Sequence, residues 1–321
     1  MYARLPDELL SFTLSKSMQR LKDVDMNCGL IYTSLPLFCG LQPYSRYDHS
    51  LGTAELAWHF TQDPVIALSA LFHDISTPCF SHVVDFMHGD HENQEFTEAN
   101  TGTVIASDRK IVSLLQQLGI SRESVSDYHQ YPVADNDSPK LSCDRLEYTL
   151  QNMVRYGLEN KEFAAEALSD LSVGQNELAQ TELVFNHEET ARRFALAAVG
   201  CGRIYSGKED RYAMEILARL LKAAIQDGTL TEEDLYGTEK EMIRKLKQSP
   251  HGNAWQSFTR LHEVHVVKDG CEGAFAVAAK KRYIDPYIHG KGRVSEVFPL
   301  FAREIERFLK EDYSVLLKGE F

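Results

Sequence analysis

The chain has 321 residues and a formal net charge of −13 at neutral pH, because 47 acidic residues outnumber 34 basic ones. Hydrophobic residues make up 43% of the sequence and charged residues 25%, a balance that is typical of folded globular proteins and argues against disorder. The negative charge disfavours non-specific binding to nucleic acids and to anionic membranes.

The six cysteines are scattered along the chain without a C-x-x-C pair. This pattern argues against a zinc ribbon or a disulfide framework and favours a reducing compartment. The first residues lack the basic-then-apolar pattern of a signal peptide, and no apolar stretch approaches the ~20 residues needed to span a bilayer. We therefore expect a soluble, cytoplasmic protein.

Helical start and stop signals recur through the sequence. Asp63 followed by Pro64 predicts an N-cap and a first helical residue, and the apolar spacing behind them predicts a buried helix over 64–75. Similar signals predict further helices over 107–118, 138–157, 187–199, 209–226 and 238–247, and an amphipathic helix over about 295–310.

The region from Val264 to Ile288 departs from this helical pattern. The runs VHVVKD and FAVAAKKRYI are rich in residues that favour strands, and the turn-like segment DGCEG separates them. We therefore predict an all-α, mainly helical fold with a small antiparallel β-hairpin near the C-terminus. No repeat or long linker divides the chain, so residues 1–321 are expected to form one compact domain.

Half of the twelve histidines lie between residues 49 and 91. His73 and Asp74 end an otherwise apolar helix, where burying an imidazole beside a carboxylate is costly without a partner such as a cation. His49 and Asp144 would complete a divalent-metal site from neighbouring helices. Two His and two Asp leave positions open for water and substrate, as in catalytic sites, and suit Mn, Fe, Ni, Zn or Mg.

The order of these residues resembles that of the HD-domain phosphohydrolases. The matching string comprises R-x-x-H-S-L-G at 46–52, H-D at 73–74, F-S-H-x-x-D at 80–85 and the later Asp144. The nearest branch is the deoxynucleoside triphosphate triphosphohydrolases, and the match runs from about residue 19 to residue 152. The resemblance implies an HD core over about 15–160 and a helical extension with the hairpin over about 161–321.

The resemblance also implies roles for individual residues. The metal ligands would be His49, His73, Asp74 and Asp144. His91 would act in phosphoryl chemistry, with Asp85 holding its imidazole in one tautomer. Residues matching phosphate or nucleotide contacts are Arg46, His82 and Tyr148. The alternatives are a buried polar cluster for the ligand set, a surface ion pair for His91 with Asp85, a capping or core histidine for His82, and simple charge neutralisation for Arg46.

The sequence departs from the family pattern at several positions. The family's H-D-(I/L)-G-H-G-P-F appears here as HDISTPCF, with Ser76 and Thr77 in place of Gly and His. Met26 and Asn152 stand where the family has sugar- or base-facing Gln and Asp. The basic run over 280–282 is either a solvated segment or a phosphate contact.

We therefore expect a metal-dependent phosphohydrolase acting on a small phosphorylated substrate, a nucleotide. A deoxynucleoside triphosphate triphosphohydrolase is the leading interpretation. A nucleoside monophosphatase, an alarmone hydrolase or a non-catalytic nucleotide-binding regulator are the alternatives. Since the family often forms dimers or larger assemblies, a homo-oligomer is also an open expectation.

Overall fold

The structure is a computed structural model that describes residues 3–90, 100–278 and 280–321. Fifteen α-helices lie in these ranges: α1 (Asp7–Leu10), α2 (Lys16–Arg20), α3 (Arg46–Thr61), α4 (Pro64–Phe72), α5 (Val83–Met87), α6 (Thr101–Ser107), α7 (Arg109–Leu118), α8 (Cys143–Arg155), α9 (Lys161–Ser169), α10 (Glu188–Tyr205), α11 (Lys208–Gln226), α12 (Glu239–Lys247), α13 (Gly252–Arg260), α14 (Val294–Val297) and α15 (Pro299–Lys310).

The strands form two small sheets: they are β1 (Leu171–Gln175), β2 (Thr181–Phe185), β3 (Glu263–Val267), β4 (Tyr287–Ile288), β5 (Gly292–Arg293) and β6 (Leu316–Glu320). In the first sheet the order is β1-β2-β4-β5, with β2 and β4 parallel and the other two pairs antiparallel. In the second sheet β3 and β6 are antiparallel.

The predicted fold class, mainly helical with a small antiparallel sheet near the C-terminus, is confirmed. The strand partners differ from the predicted hairpin, because β3 pairs with β6. In the described ranges the run FAVAAKKRYI makes one bridge, from Phe275 to Leu317. Val277 of this run lies in the same apolar cluster as Val264 and Leu317, whereas Lys280 and Arg282 at its end line a cavity, so the run does not continue as a strand.

The helix that carries Asp144 begins later than predicted. Ser142, in extended conformation, is the N-cap of α8, and its hydroxyl accepts a hydrogen bond from the backbone N–H of Arg145. A serine side chain at this position satisfies one of the unpaired N–H groups at the start of a helix. Asp144 therefore lies in the first turn of α8, at the helix end that favours negative charge.

Close packing of α3 against α4 and α8 positions the polar residues of these helices. Leu56 and Ala57 of α3, Ala70 of α4 and Leu146 of α8 are fully buried in the same apolar cluster. Small residues allow the helix axes to approach, and each fully buried Leu contributes about 1.5–3 kcal/mol of transfer free energy. The N-terminal turns of α3 and α8 and the end of α4 therefore meet at one point.

Within the described ranges, no helix combines the length and the apolar character needed to cross a bilayer.

Candidate metal centre and substrate cavity

Three helices deliver the four predicted metal ligands to one point. His49 lies in the first turn of α3, and Asp144 lies in the first turn of α8. His73 is the C-cap of α4, and Asp74 follows it directly. His49, His73 and Asp74 are buried, so the burial predicted for the His-Asp pair is present.

The candidate ligand atoms of the four side chains lie close together. His49 Nε2 lies 3.1 Å from His73 Nε2 and 2.9 Å from Asp144 Oδ1. Asp74 Oδ2 lies 3.4 Å from His73 Nε2 and 3.9 Å from His49 Nε2. His49, His73 and Asp74 form a group of donor atoms close enough to hold a metal ion, with Asp144 beside it.

The outer nitrogen of each imidazole is already bound. His73 Nδ1 lies 2.6 Å from the carbonyl oxygen of Ala70, and His49 Nδ1 lies 2.6 Å from Glu147 Oε2. A carbonyl or carboxylate oxygen only accepts a hydrogen bond, so each Nδ1 carries the proton and donates it. In the neutral rings both Nε2 lone pairs therefore point toward the same place.

Two imidazole lone pairs and two carboxylates in one buried site require positive charge between them. Although burial opposes it, the hydrogen bonds with Asp144 and Glu147 raise the pKa of His49 to about 10. Burial likewise opposes ionisation of Asp74, but Arg46 and the two imidazoles hold its pKa well below the ordinary value. The residues present therefore fit a divalent cation, and metal-bound imidazoles show the same outer hydrogen bonds.

Sequence reasoning missed Glu147, which supports this cluster from behind. Its carboxylate is buried and accepts hydrogen bonds from His49 Nδ1 and from the Tyr44 hydroxyl. The available signal was its spacing: Glu147 follows Asp144 by three residues on α8, so both side chains lie on one helix face.

Arg46 and Thr77 both bind Asp74. Arg46 donates to Asp74 Oδ2 at 2.9 Å and to the Ser81 hydroxyl at 3.0 Å. Thr77 Oγ1 donates to Asp74 Oδ1 at 2.8 Å and is fully buried. Thr77 stands where the HD-domain pattern has a histidine. It orients the carboxylate of Asp74, and it does not line the cavity.

His82 lies next to the cluster and is oriented by a buried carboxylate. Its Nδ1 lies 2.9 Å from Asp85 Oδ2, and the Asp85 side chain is fully buried while 24% of the His82 side chain is exposed. Burial lowers the pKa of His82. Asp85 was predicted to orient His91, which lies outside the described residues, so among those residues its histidine partner is His82.

A cavity of about 730 Å³ opens from the cluster, which is within the range of small-molecule sites. Tyr148 lines it one helical turn from Asp144, and burial raises the pKa of its hydroxyl to about 12. Lys280 and Arg282 of the basic run also line it. Sequence reasoning did not single out the lining residues contributed by the helices around 205–214, which include Tyr205, Asp210 and Met214.

Comparison with known proteins places the chain in a family. No family model matches it. It is 30% identical over 248 residues to the uncharacterized protein YdhJ of Bacillus subtilis, a match that covers 76% of this chain and 74% of YdhJ. The chain belongs to the YdhJ family.

More distant similarities of this YdhJ-family chain extend over nearly its whole length. It is 24% identical over 313 residues to the metal-dependent phosphohydrolase cns2 of Cordyceps militaris, covering 94% of this chain and 90% of cns2. The fold is similar to the crystal structure of a hypothetical protein from Aquifex aeolicus, with a TM-score of 0.63, 17% identity, and coverage of 98% of this chain and 92% of the other.

The similarity to cns2 and the His49–His73–Asp74 cluster together support the HD superfamily, a hydrolase of this general type and a divalent metal. The deoxynucleotide branch and the nucleotide substrate rest on the motif string alone.

Proposed function

We propose that this chain is a metal-dependent phosphohydrolase that removes the phosphate part of a nucleotide. The observation that carries the proposal is the cluster of His49, His73 and Asp74 with Asp144 beside it. Both imidazoles are held at Nδ1, and the cluster lines a cavity large enough for a nucleotide. His49, His73, Asp74 and Asp144 would hold the ion. A divalent ion there supplies Lewis-acid chemistry: it polarises a phosphoryl oxygen and lowers the pKa of a coordinated water.

The neighbouring side chains have distinct proposed roles. Arg46 presents a guanidinium oriented by Asp74 and Ser81 to the oxygens of the phosphate. His82, oriented by Asp85, holds or moves a proton at Nε2, because burial favours its neutral ring. The family resemblance assigns His91 to phosphoryl chemistry as well. Tyr148 would contact the nucleoside.

Two candidate substrates differ in the length of their phosphate chain. The motif string places the chain nearest the deoxynucleoside triphosphate triphosphohydrolases, and this is the first candidate. A nucleoside monophosphate is the second. Acidic residues (Asp127, Asp135) and basic residues (Lys280, Arg282) both line the cavity, and Arg145 is bound to Asp135 at 3.0 Å. Because each further phosphoryl group adds negative charge, the carboxylates favour the shorter phosphate chain and the basic residues favour the longer one.

The products of hydrolysis distinguish these candidates. Full-length protein of measured metal content is incubated with the four dNTPs, the nucleoside monophosphates and a tetraphosphate alarmone, with Mg²⁺, Mn²⁺ or Co²⁺, and the products are separated by ion exchange. Tripolyphosphate supports the first candidate, orthophosphate from a monophosphate supports the second, and pyrophosphate indicates an alarmone hydrolase. Binding of a nucleotide without any turnover, with metal bound, contradicts the proposal and indicates a regulator.

The Asp144→Ala variant is the control for adventitious activity. Asp144 contributes the oxygen nearest to His49 Nε2, so the variant should lose metal and activity together. Activity that persists in this variant would not belong to the cluster.

A further inference from the structure

One carboxylate in the cavity has no role in the metal centre. Asp210 lies in the first turn of α11 and lines the same cavity as the metal cluster, near Tyr205 and Met214. Its side chain is half-buried and lines the cavity. Burial raises its pKa well above the ordinary value, although Arg211 and Arg282 act in the opposite direction.

Asp210 is not explained as a helix cap. An acidic residue in a first turn commonly binds a backbone N–H at the helix start, yet the N-terminus of α11 has no side-chain cap. Asp48 in α3 is an example of such capping, because its carboxylate accepts a hydrogen bond from Ser45 N at 3.0 Å. Within the described ranges, the Asp210 carboxylate has no hydrogen bond to another residue.

The basic residues beside Asp210 do not form an ion pair with it in the described structure. Arg211 turns away and donates to the carbonyl oxygens of Val277 and Tyr313. Arg282 acts electrostatically on Asp210, and also on His82 and Tyr148. Arg282 lines the same cavity as Asp210 and the metal cluster. A partly buried carboxyl group without a hydrogen-bond donor is costly to the fold unless a ligand supplies one.

The other polar groups near this end are engaged with one another. Asn152 Nδ2 donates to the Tyr205 hydroxyl at 2.8 Å, and Arg155 donates to Asn152 Oδ1 at 2.9 Å. Asn27 Nδ2 donates to the Tyr156 hydroxyl at 2.9 Å. These bonds engage the polar side chains with one another, whereas among the described residues Asp210 is a lining acceptor without a hydrogen bond.

We propose that Asp210 is a specificity-determining residue that accepts a hydrogen bond from an N–H or O–H group of the nucleoside part of the substrate. The inference rests on the proposed function, because it requires the phosphate to lie at the metal cluster. The acceptor oxygen of this carboxyl group calls for a hydrogen-bond donor, so the amino group of a base or a hydroxyl of the sugar is the complementary chemistry. A carboxyl oxygen accepts in both protonation states.

Substrate analogues distinguish whether the hydrogen-bond donor to Asp210 belongs to the base or to the sugar. Asp210→Ala, Asp210→Asn and the control Glu209→Gln are compared on adenosine 5′-monophosphate and on its analogues without the amino group, the 2′-hydroxyl or the 3′-hydroxyl, at the phosphate chain length that the protein hydrolyses. A simple aryl phosphate, p-nitrophenyl phosphate, lacks all these donors. Glu209 is the matched control, since it lies in the same helical turn but pairs with Lys208.

We expect Asp210→Ala to lower kcat/KM for the complete nucleotide by about 10- to 100-fold, as expected when a buried donor of the substrate loses its acceptor. Hydrolysis of p-nitrophenyl phosphate and the bound metal should not change. The analogue that lacks the recognised donor should be equally poor for wild type and Asp210→Ala, which identifies base or sugar. Equal losses on every substrate, no loss on any, or the same loss in Glu209→Gln would overturn the inference.

Two further measurements keep this inference separate from the proposed function. Calorimetric titration with the unphosphorylated nucleosides needs no turnover: weaker binding by Asp210→Ala supports the inference even if no phosphate is released, whereas unchanged or absent nucleoside binding overturns it. Asp210→Asn should fold at least as stably as wild type, because it removes a desolvated acid. A clear fall in its melting temperature would show a structural role instead.

Discussion

The absence of a side chain at Gly52 makes room for the carboxylate of Glu147. A Cβ atom at Gly52 would lie 2.6 Å from Glu147 Oε1 and 2.8 Å from Glu147 Cγ. Gly52 follows His49 on α3, and Glu147 binds His49 Nδ1. The glycine of the R-x-x-H-S-L-G string therefore has a physical explanation, since helix α3 must leave space for the group that orients its own histidine.

Gly52→Ala should displace Glu147 and release the His49 ring. Because outer hydrogen bonds of this kind typically change metal affinity by about 10- to 100-fold, we expect a loss of this size in a metal titration. Gly102→Ala is the control: a Cβ at Gly102 would meet only Ser126, at 3.7 Å, so metal affinity should not change. Unaltered affinity in Gly52→Ala would show that Glu147 does not support the site.

Thr77→Val should weaken metal binding, although valine has nearly the same shape. The substitution removes the buried hydrogen bond to Asp74 Oδ1 and leaves that oxygen with one donor fewer, at a cost of about 1–3 kcal/mol. Thr77→Ser keeps the hydroxyl and should restore affinity. If both variants bind metal like wild type, Thr77 serves packing only.

Divalent metal should stabilise the folded chain. A ligand that binds only the native state adds about 2.7 kcal/mol at a concentration 100 times its Kd, so the melting temperature should rise by several degrees with Mn²⁺ and fall back with a chelator. His73→Ala removes one converging Nε2 atom and should abolish most of this rise. If Mn²⁺ raised the melting temperature of His73→Ala as much as that of wild type, the metal would bind outside this cluster.

Glu239 should make stability fall as pH increases. This buried carboxyl group accepts hydrogen bonds from Asp25 N at 2.9 Å, Phe80 N at 3.1 Å and the Tyr32 hydroxyl at 2.7 Å. Burial nevertheless raises its pKa to about 8. Above pH ~4.5 the unfolded chain releases this proton while the folded chain keeps it, so the free energy of unfolding decreases by up to about 1.4 kcal/mol per pH unit until pH ~8.

The Glu239→Gln variant tests this dependence. Its amide nitrogen can donate to the Tyr32 oxygen, so the fold is preserved, and the slope between pH 5 and 8 in urea unfolding should become shallower than in wild type. Glu241→Gln is the control because Glu241 is exposed in the same turn of α12. Identical slopes for wild type and Glu239→Gln would mean that Glu239 is ionised in the folded protein.

Local signals predicted much of the helical framework and named residues that lie together in the structure. Asp63 and Pro64 start α4 as expected, with the Asp63 carboxylate accepting from Val65 N. These features are readable because caps and apolar spacing act within a few residues. The His and Asp residues of the cluster were recognisable by type and order, and their role as ligands remains a prediction.

The remaining features depend on partners that are distant in the sequence. The pairing of β3 with β6 joins Val264 to Gly319, and no pattern around either strand specifies the other. Asp210 has the sequence context of an ordinary first-turn acid. Its place in the cavity follows only from how α11 packs, so neither its exposure nor its missing hydrogen bond could be inferred beforehand.

The cavity draws its two ends from different stretches of the chain. The metal cluster is built from residues 49–144, whereas Tyr205, Asp210 and Arg282 stand along the wall farther from it in sequence. Under the proposed function, the metal ligands therefore come from the earlier stretch, and part of the wall that faces the nucleoside comes from the later one. A chimera that takes the later stretch from a relative would then keep all four proposed ligands and change only that part of the wall.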